Sequence, residues 1–128
     1  MSGINKVILV GHLGKDPDLR RLADEVAVLS FPFATSETVS KDGKKVELTE
    51  WHNIVMWRGL AENAARLLKK GSLVYLEGKT RTRSFSDKDG IKKYTTEIVV
   101  EHFTLLGRKS DFEEITTETL QPPFDVGR

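Results

Sequence analysis

Two tryptophans, Trp51 and Trp57, stand in the run Thr49-Glu50-Trp51-His52-Asn53-Ile54-Val55-Met56-Trp57, which holds no Gly or Pro. A run this rich in aromatic and β-branched residues predicts one β-strand. Successive strand side chains point to opposite faces, so Trp51, Val55 and Trp57 share one face. His52, Ile54 and Met56 share the other, which is apolar enough for a core. At strand rise the two indoles lie roughly 20 Å apart. Indoles so placed either pack under a second layer or stack on a flat ligand. The run from Leu73 to Phe85 favours the ligand: Val74, Leu76 and Gly78 fall on one parity, and Lys79, Arg81, Arg83 and Phe85 on the other. Cations beside a ring make a poor core and a good platform for single-stranded nucleic acid, where cations follow phosphates and bases stack on rings. The expected contacts are stacking on Trp51, Trp57 and Phe85 and charge neutralisation by Lys79, Arg81, Arg83 and Arg58, with Lys41, Lys44 and Lys45 added from a turn.

Reaction chemistry finds no comparable support. There is no Gly-x4-Gly-Lys-Ser/Thr loop, no His-Glu-x2-His and no acidic cluster spaced for a metal. His12, His52 and His102 are scattered, and the carboxylate pairs Asp16 with Asp18 and Glu113 with Glu114 fall on a turn and a tail, where burial could hardly tune an acid and a base. The expectation is no catalytic residue, no metal and no cofactor.

These side chains need a sheet to hold them. Asn5 to Leu13 reads as the first strand; Val7-Ile8-Leu9-Val10 is continuous enough to predict burial on both faces, by the core and by another subunit. Gly11 and Gly14 mark a bend or a close backbone approach. Lys15 to Asp18 is a turn. Val26 to Thr35 is the second strand, with Leu29, Phe31 and Phe33 in the core and Pro32 at an edge, a bulge or a position whose nitrogen points outward. Asp42-Gly43 marks a hairpin tip before the Trp strand, and Asp89-Gly90 a second one after the basic strand. Between them, Leu60, Ala64, Leu67 and Leu68 give a helix over Leu60–Lys70, with Lys69 and Lys70 at its negative end and Gly71 as its stop. Tyr94 to Leu106 closes the sheet. The order is strand, strand, strand, helix, strand, strand. It predicts a mainly β chain: an OB-fold, the five-stranded Greek-key barrel, with one helix between strands 3 and 4.

The chain of 128 residues suits one domain and has no cysteine, which fits a reducing cytoplasm. Its longest early apolar run is too short for a signal peptide or a membrane span. The net charge of +1 hides an asymmetry: residues 1–110 carry +5 and residues 111–128 carry −4. The expected organisation is a basic binding domain over 1–110 and a short acidic, disordered tail over 111–128.

The residues also carry a family resemblance over nearly all of 3–107. Asn5-Lys6-Val7-Ile8-Leu9-Val10-Gly11, Leu13-Gly14, Ala34-Thr35-Ser36-Glu37, Thr49-Glu50-Trp51-His52 and Leu60-Ala61-Glu62 resemble the bacterial single-stranded DNA-binding proteins. So do Lys70-Gly71-Ser72, Val74-Tyr75, Glu77-Gly78, Arg81-Thr82-Arg83 and Tyr94-Thr95-Thr96-Glu97. The resemblance implies an OB-fold, usually a homotetramer, that wraps single-stranded DNA without sequence preference in replication, repair and recombination, cytoplasmic and nucleoid-associated. It implies stacking at Trp51, Trp57 and Phe85, and places His52 near a subunit interface. A further stacking tryptophan of known members falls at Val39. The family's acidic tip, closing in Pro-Phe, recruits replication and repair proteins; here Pro123-Phe124 is followed by Asp125-Val126-Gly127-Arg128, which argues against recruitment by that tip. Two other readings compete: an OB-fold module that docks a protein in a replication-restart or related assembly, its Trp face a protein interface, and a small nuclease, which would need clustered carboxylates.

Overall fold

Alternating apolar and polar residues, folded back at two Asp-Gly turns, build most of the sheet. The computed structural model describes residues 2–107, and the tail expected from 111 onward lies outside them. Strands β1 (Val7–Leu13), β2 (Asp18–Arg21), β3 (Ala27–Lys41) and β4 (Lys44–Trp57) precede the helix α1 (Arg58–Leu67), and β5 (Leu73–Ser86) and β6 (Lys92–Gly107) follow it. The sheet order is β1-β5-β6-β4-β3-β2, and a further pairing of β1 with β3 closes a barrel. All pairings are antiparallel except β4 with β6, which run parallel at Ile54–Ile98 and Val55–Val99. Five long strands so ordered, with one helix between the third and fourth of them, form the OB-fold the sequence predicts.

The Asp42-Gly43 turn joins β3 to β4 with both residues at positive φ, 51° and 77°. That geometry matches the twist of the strands and suits Asp-Gly. The β5–β6 loop is held by the Asp87 carboxylate, which accepts from the nitrogens of Asp89 and Ile91 at 2.9 Å. Leu29, Phe31, Phe33, Ile54, Met56, Val74 and Leu76 are buried and form the core with Ile98 and Val100. A Cβ on Gly11 would strike the Ala34 carbonyl, and one on Gly78 the Val99 carbonyl. Gly78 faces the place where β6 carries an extra residue, Glu101, between the partners of Glu77 and Gly78. Gly11 permits close backbone approach where the barrel closes, and Gly78 permits it at the bulge between β5 and β6.

The second strand and the end of the helix depart from the sequence expectation, whereas Pro32 lies at a position of the kind expected. The segment after Pro17 does not stay a turn: Asp18–Arg21 forms β2 along β3, fully exposed and without an apolar pattern to betray it. Pro32 sits in the gap where β3 changes neighbours, between β2 at Ala27–Ser30 and β1 at Phe33–Ala34, so its missing donor costs no ladder bond there. The helix ends at Leu67, and the buried face is Ala61, Ala64 and the cap residue Leu68, whereas Leu67 points to solvent. Lys69 and Lys70 therefore lie beyond the helix. Gly71, at φ 88°, serves the return turn, its nitrogen bonding the Leu13 carbonyl at 2.9 Å. Finally, within the single chain only one face of β1 is covered, and Ile8 and Val10 remain 56% and 50% exposed.

Candidate nucleic-acid interface

Strand register assembles the face that the sequence describes only strand by strand. Trp51, Asn53, Val55 and Trp57 alternate along one side of β4, opposite Ala34, Pro32, Ser30 and Val28 of β3. Val55 pairs with Val99 of β6, and Val99 with Lys79 of β5, so Ser30, Val55, Val99 and Lys79 form one row across four strands. Next to that row Arg81 faces Glu97, and Arg83 faces Thr95.

A cavity of about 400 Å³ brings together Trp57, Arg81 and Arg83, floored by Val55 and Val99 and walled by Leu22 and Glu97. A second cavity, of about 430 Å³, is lined by Asn53, Val55 and Glu97 with Lys15, Asp16 and Asp18 from the β1–β2 connection. Trp51 lies next along the same side of β4, its indole against Gly14, where a Cβ would collide with the ring. The indoles are accessible: Trp51 is 60% exposed and Trp57 38%. Phe85 is also exposed and continues the Arg81 and Arg83 side of β5, opposite Lys93, but on the projecting hairpin outside either cavity.

The remaining expected cations are distributed unevenly. Lys79 stands 4.0 Å from Glu101. Arg58 follows Trp57 directly, with φ at 59°. Lys41, Lys44 and Lys45 cap the β3–β4 hairpin, where alternation puts Lys45 on the Trp51 side and Lys41 and Lys44 on the reverse. Val39, paired with Val46, is on that reverse side too. His52 is half-buried on the core side of β4, its Nε2 2.9 Å from Thr35 Oγ1. Among the described residues no group of three or more His, Cys, Asp or Glu could hold a metal ion.

Sequence reasoning missed Leu22, Asn53 and Glu97. Leu22 follows a strand that carries no apolar signal. Glu97 could have been found, because the Asp-Gly tip fixes the β5–β6 register and that register sets a carboxylate opposite Arg81.

A sequence profile of the single-strand binding protein family matches residues 4–106. The chain belongs to that family. It is 49% identical over 109 residues to a single-stranded DNA-binding protein of Neisseria meningitidis, an alignment covering 84% of this chain and 63% of that protein. It is 44% identical over 117 residues to single-stranded DNA-binding protein 1 of Xylella fastidiosa, covering 90% of this chain and 86% of that one. The chain thus spans less than two thirds of the length of the Neisseria relative. Among solved structures it is similar to a Plasmodium falciparum SSB complex with ssDNA, with a TM-score of 0.75 and 27% identity, covering 83% of this chain and 97% of that one. Family membership agrees with the OB-fold.

Proposed function

We propose that this protein binds single-stranded DNA without sequence preference, by stacking bases on Trp51, Trp57 and Phe85 and neutralising phosphates with Lys79, Arg81, Arg83 and Arg58. The observation that carries the reading is the cavity in which half-exposed Trp57 meets Arg81 and Arg83 on the floor of Val55 and Val99. A flat apolar base fits the floor and indole while its phosphate meets a guanidinium, and each stacked base is typically worth about 1–3 kcal/mol. The hairpin lysines Lys41, Lys44 and Lys45 extend the charge beyond this cavity and would follow the strand as it leaves the barrel. The protein acts by binding alone, serving replication, repair and recombination in the cytoplasm. Family membership supports that role, and no helix among the described residues is long and apolar enough to cross a membrane.

We further propose a homotetramer, with His52 at a subunit contact. Its support is the half-exposed apolar pair Ile8 and Val10 on the outer face of β1.

Tryptophan fluorescence titrated with oligo(dT), at several salt concentrations and against duplex DNA, tests the binding. Strong quenching by the single strand, weakened by salt and absent with duplex, is expected. A folded protein with no quenching would overturn the reading and leave the Trp face to a protein partner.

A further inference from the structure

Arg81 and Arg83 stand two residues apart on one side of β5 and line the same cavity, yet their surroundings differ. Arg83 Nη2 donates to Glu97 Oε2 at 2.9 Å. The Glu97 side chain is only 16% exposed, against 58% for Arg83. Register puts Glu97 directly opposite Arg81, so the Arg83 guanidinium reaches it diagonally across the strands. Arg81 has no ion pair among the described residues. Lys79 and Glu101 are 4.0 Å apart and each at least half exposed, a loose pair that exchanges partners readily.

The burial of Glu97 decides what an arriving phosphate can do. Drawing Arg83 away would leave a mostly covered carboxylate without its hydrogen-bonded partner, which costs more than moving a cation that has no such partner. Arg81 carries no such commitment. We propose that Glu97 divides the labour between the two arginines: Arg81 neutralises a backbone phosphate, Arg83 is a positioning residue held on the groove wall, and the Glu97 charge sets how tightly the groove grips a polyanion. A face that held both arginines free would grip more tightly and depend more steeply on salt. This inference rests on the nucleic-acid reading and revises one of its assignments, moving Arg83 from phosphate neutralisation to the groove wall.

The test uses the 128-residue chain and oligo(dT), with affinity measured against salt. On single strands each neutralised phosphate contributes about 0.7 to the slope of log affinity against log salt. Arg81→Ala is expected to flatten the slope by about 0.7, the contribution of one phosphate, and Arg83→Ala by much less. Glu97→Gln is expected to raise affinity and steepen the slope, and adding Arg83→Ala to it to remove that gain. Equal flattening by Arg81→Ala and Arg83→Ala would overturn the proposal. So would a folded Glu97→Gln protein with altered thermal stability and an unchanged slope, the signature of a purely structural carboxylate. Should Glu97→Gln fail to fold, the two arginine variants alone decide. Absence of oligo(dT) binding by the unmodified protein would instead defeat the underlying nucleic-acid reading.

Discussion

Arg58 occupies a backbone position that suits glycine. Its φ of 59° is left-handed, which costs a residue with a Cβ roughly 1 kcal/mol. Its neighbour Gly59 needs no such freedom, having no positive φ and open space where a Cβ would go. Arg58→Gly is therefore expected to raise unfolding free energy by about 1 kcal/mol in urea titrations, less the entropy glycine returns to the unfolded chain, while weakening oligo(dT) binding through the lost charge. Loss of stability would show that the Arg58 stem packs usefully. Trp57, beside it, makes the complementary case. It is 38% exposed and borders the cavity instead of the core, so Trp57→Ala should weaken binding by about 1–3 kcal/mol with little change in unfolding free energy. A matching fall in stability would return the indole to the core. The alternation around Trp57 was legible from residue types alone. The positive φ at Arg58 was not, because a backbone angle imposed by the strand-to-helix junction leaves no mark on the side chain that suffers it.

At the scale of elements, the N-terminal segment is clipped to β5 ahead of β1 by polar contacts. Asn5 exchanges hydrogen bonds with the Thr80 backbone, and Lys6 Nζ meets Glu77 Oε2 at 2.7 Å while the Tyr75 hydroxyl donates to Glu77 Oε1 at 3.0 Å. The Lys6 hydrogen bond, then that of Tyr75, holds the Glu77 carboxyl below its usual range. Hydrogen bonding to Glu77 raises both Lys6 and Tyr75. The depressed acid stabilises the fold above its unfolded pKa and loses that contribution as pH falls through the folded value. The raised Lys6 and Tyr75 contribute below their unfolded values and lose it as pH rises through the folded ones. Stability against pH should thus have a neutral plateau with both limbs sloping, and Glu77→Gln should flatten both, the acid limb most clearly in thermal melts. Parallel curves for the two proteins would show that these exposed pairs hold nothing. Elements with strong patterns were legible in the sequence: the core strands, both Asp-Gly hairpins and the presence of the helix. Where tertiary contacts set the boundary, legibility ended. β2 exists through its ladder to β3 and buries no side chain. The helix stops at Leu67 because Leu68 turns extended to enter the core.

For the whole molecule, the question is what covers the back of the barrel. β1 pairs with β5 along Val7–His12, but with β3 only at His12 and Leu13, so one edge of β1 stays open through Val7–Gly11. On its outer face Ile8 and Val10 stand beside Glu77 and Tyr75, about half exposed. An open edge with apolar side chains is a template for another strand, which solitary proteins blunt with charge or proline. Neither lies between Val7 and Gly11. The sequence expectation of burial on both faces of β1 is then met where a second copy covers Ile8 and Val10, which share the outer side of β5 with Tyr75, Glu77 and Lys79. Sedimentation or light scattering should give a mass near four times the 14.4 kDa chain. Val10→Lys should shift it to smaller species, because a lysine at the contact would bury an unpaired charge. The variant should still fold, since the Val10 side chain is half exposed on the outer face of the single chain, and should still quench with oligo(dT), although more weakly if a strand wraps several copies. A mass of one chain for the unmodified protein would overturn the assembly and leave the open edge of β1 to a different partner.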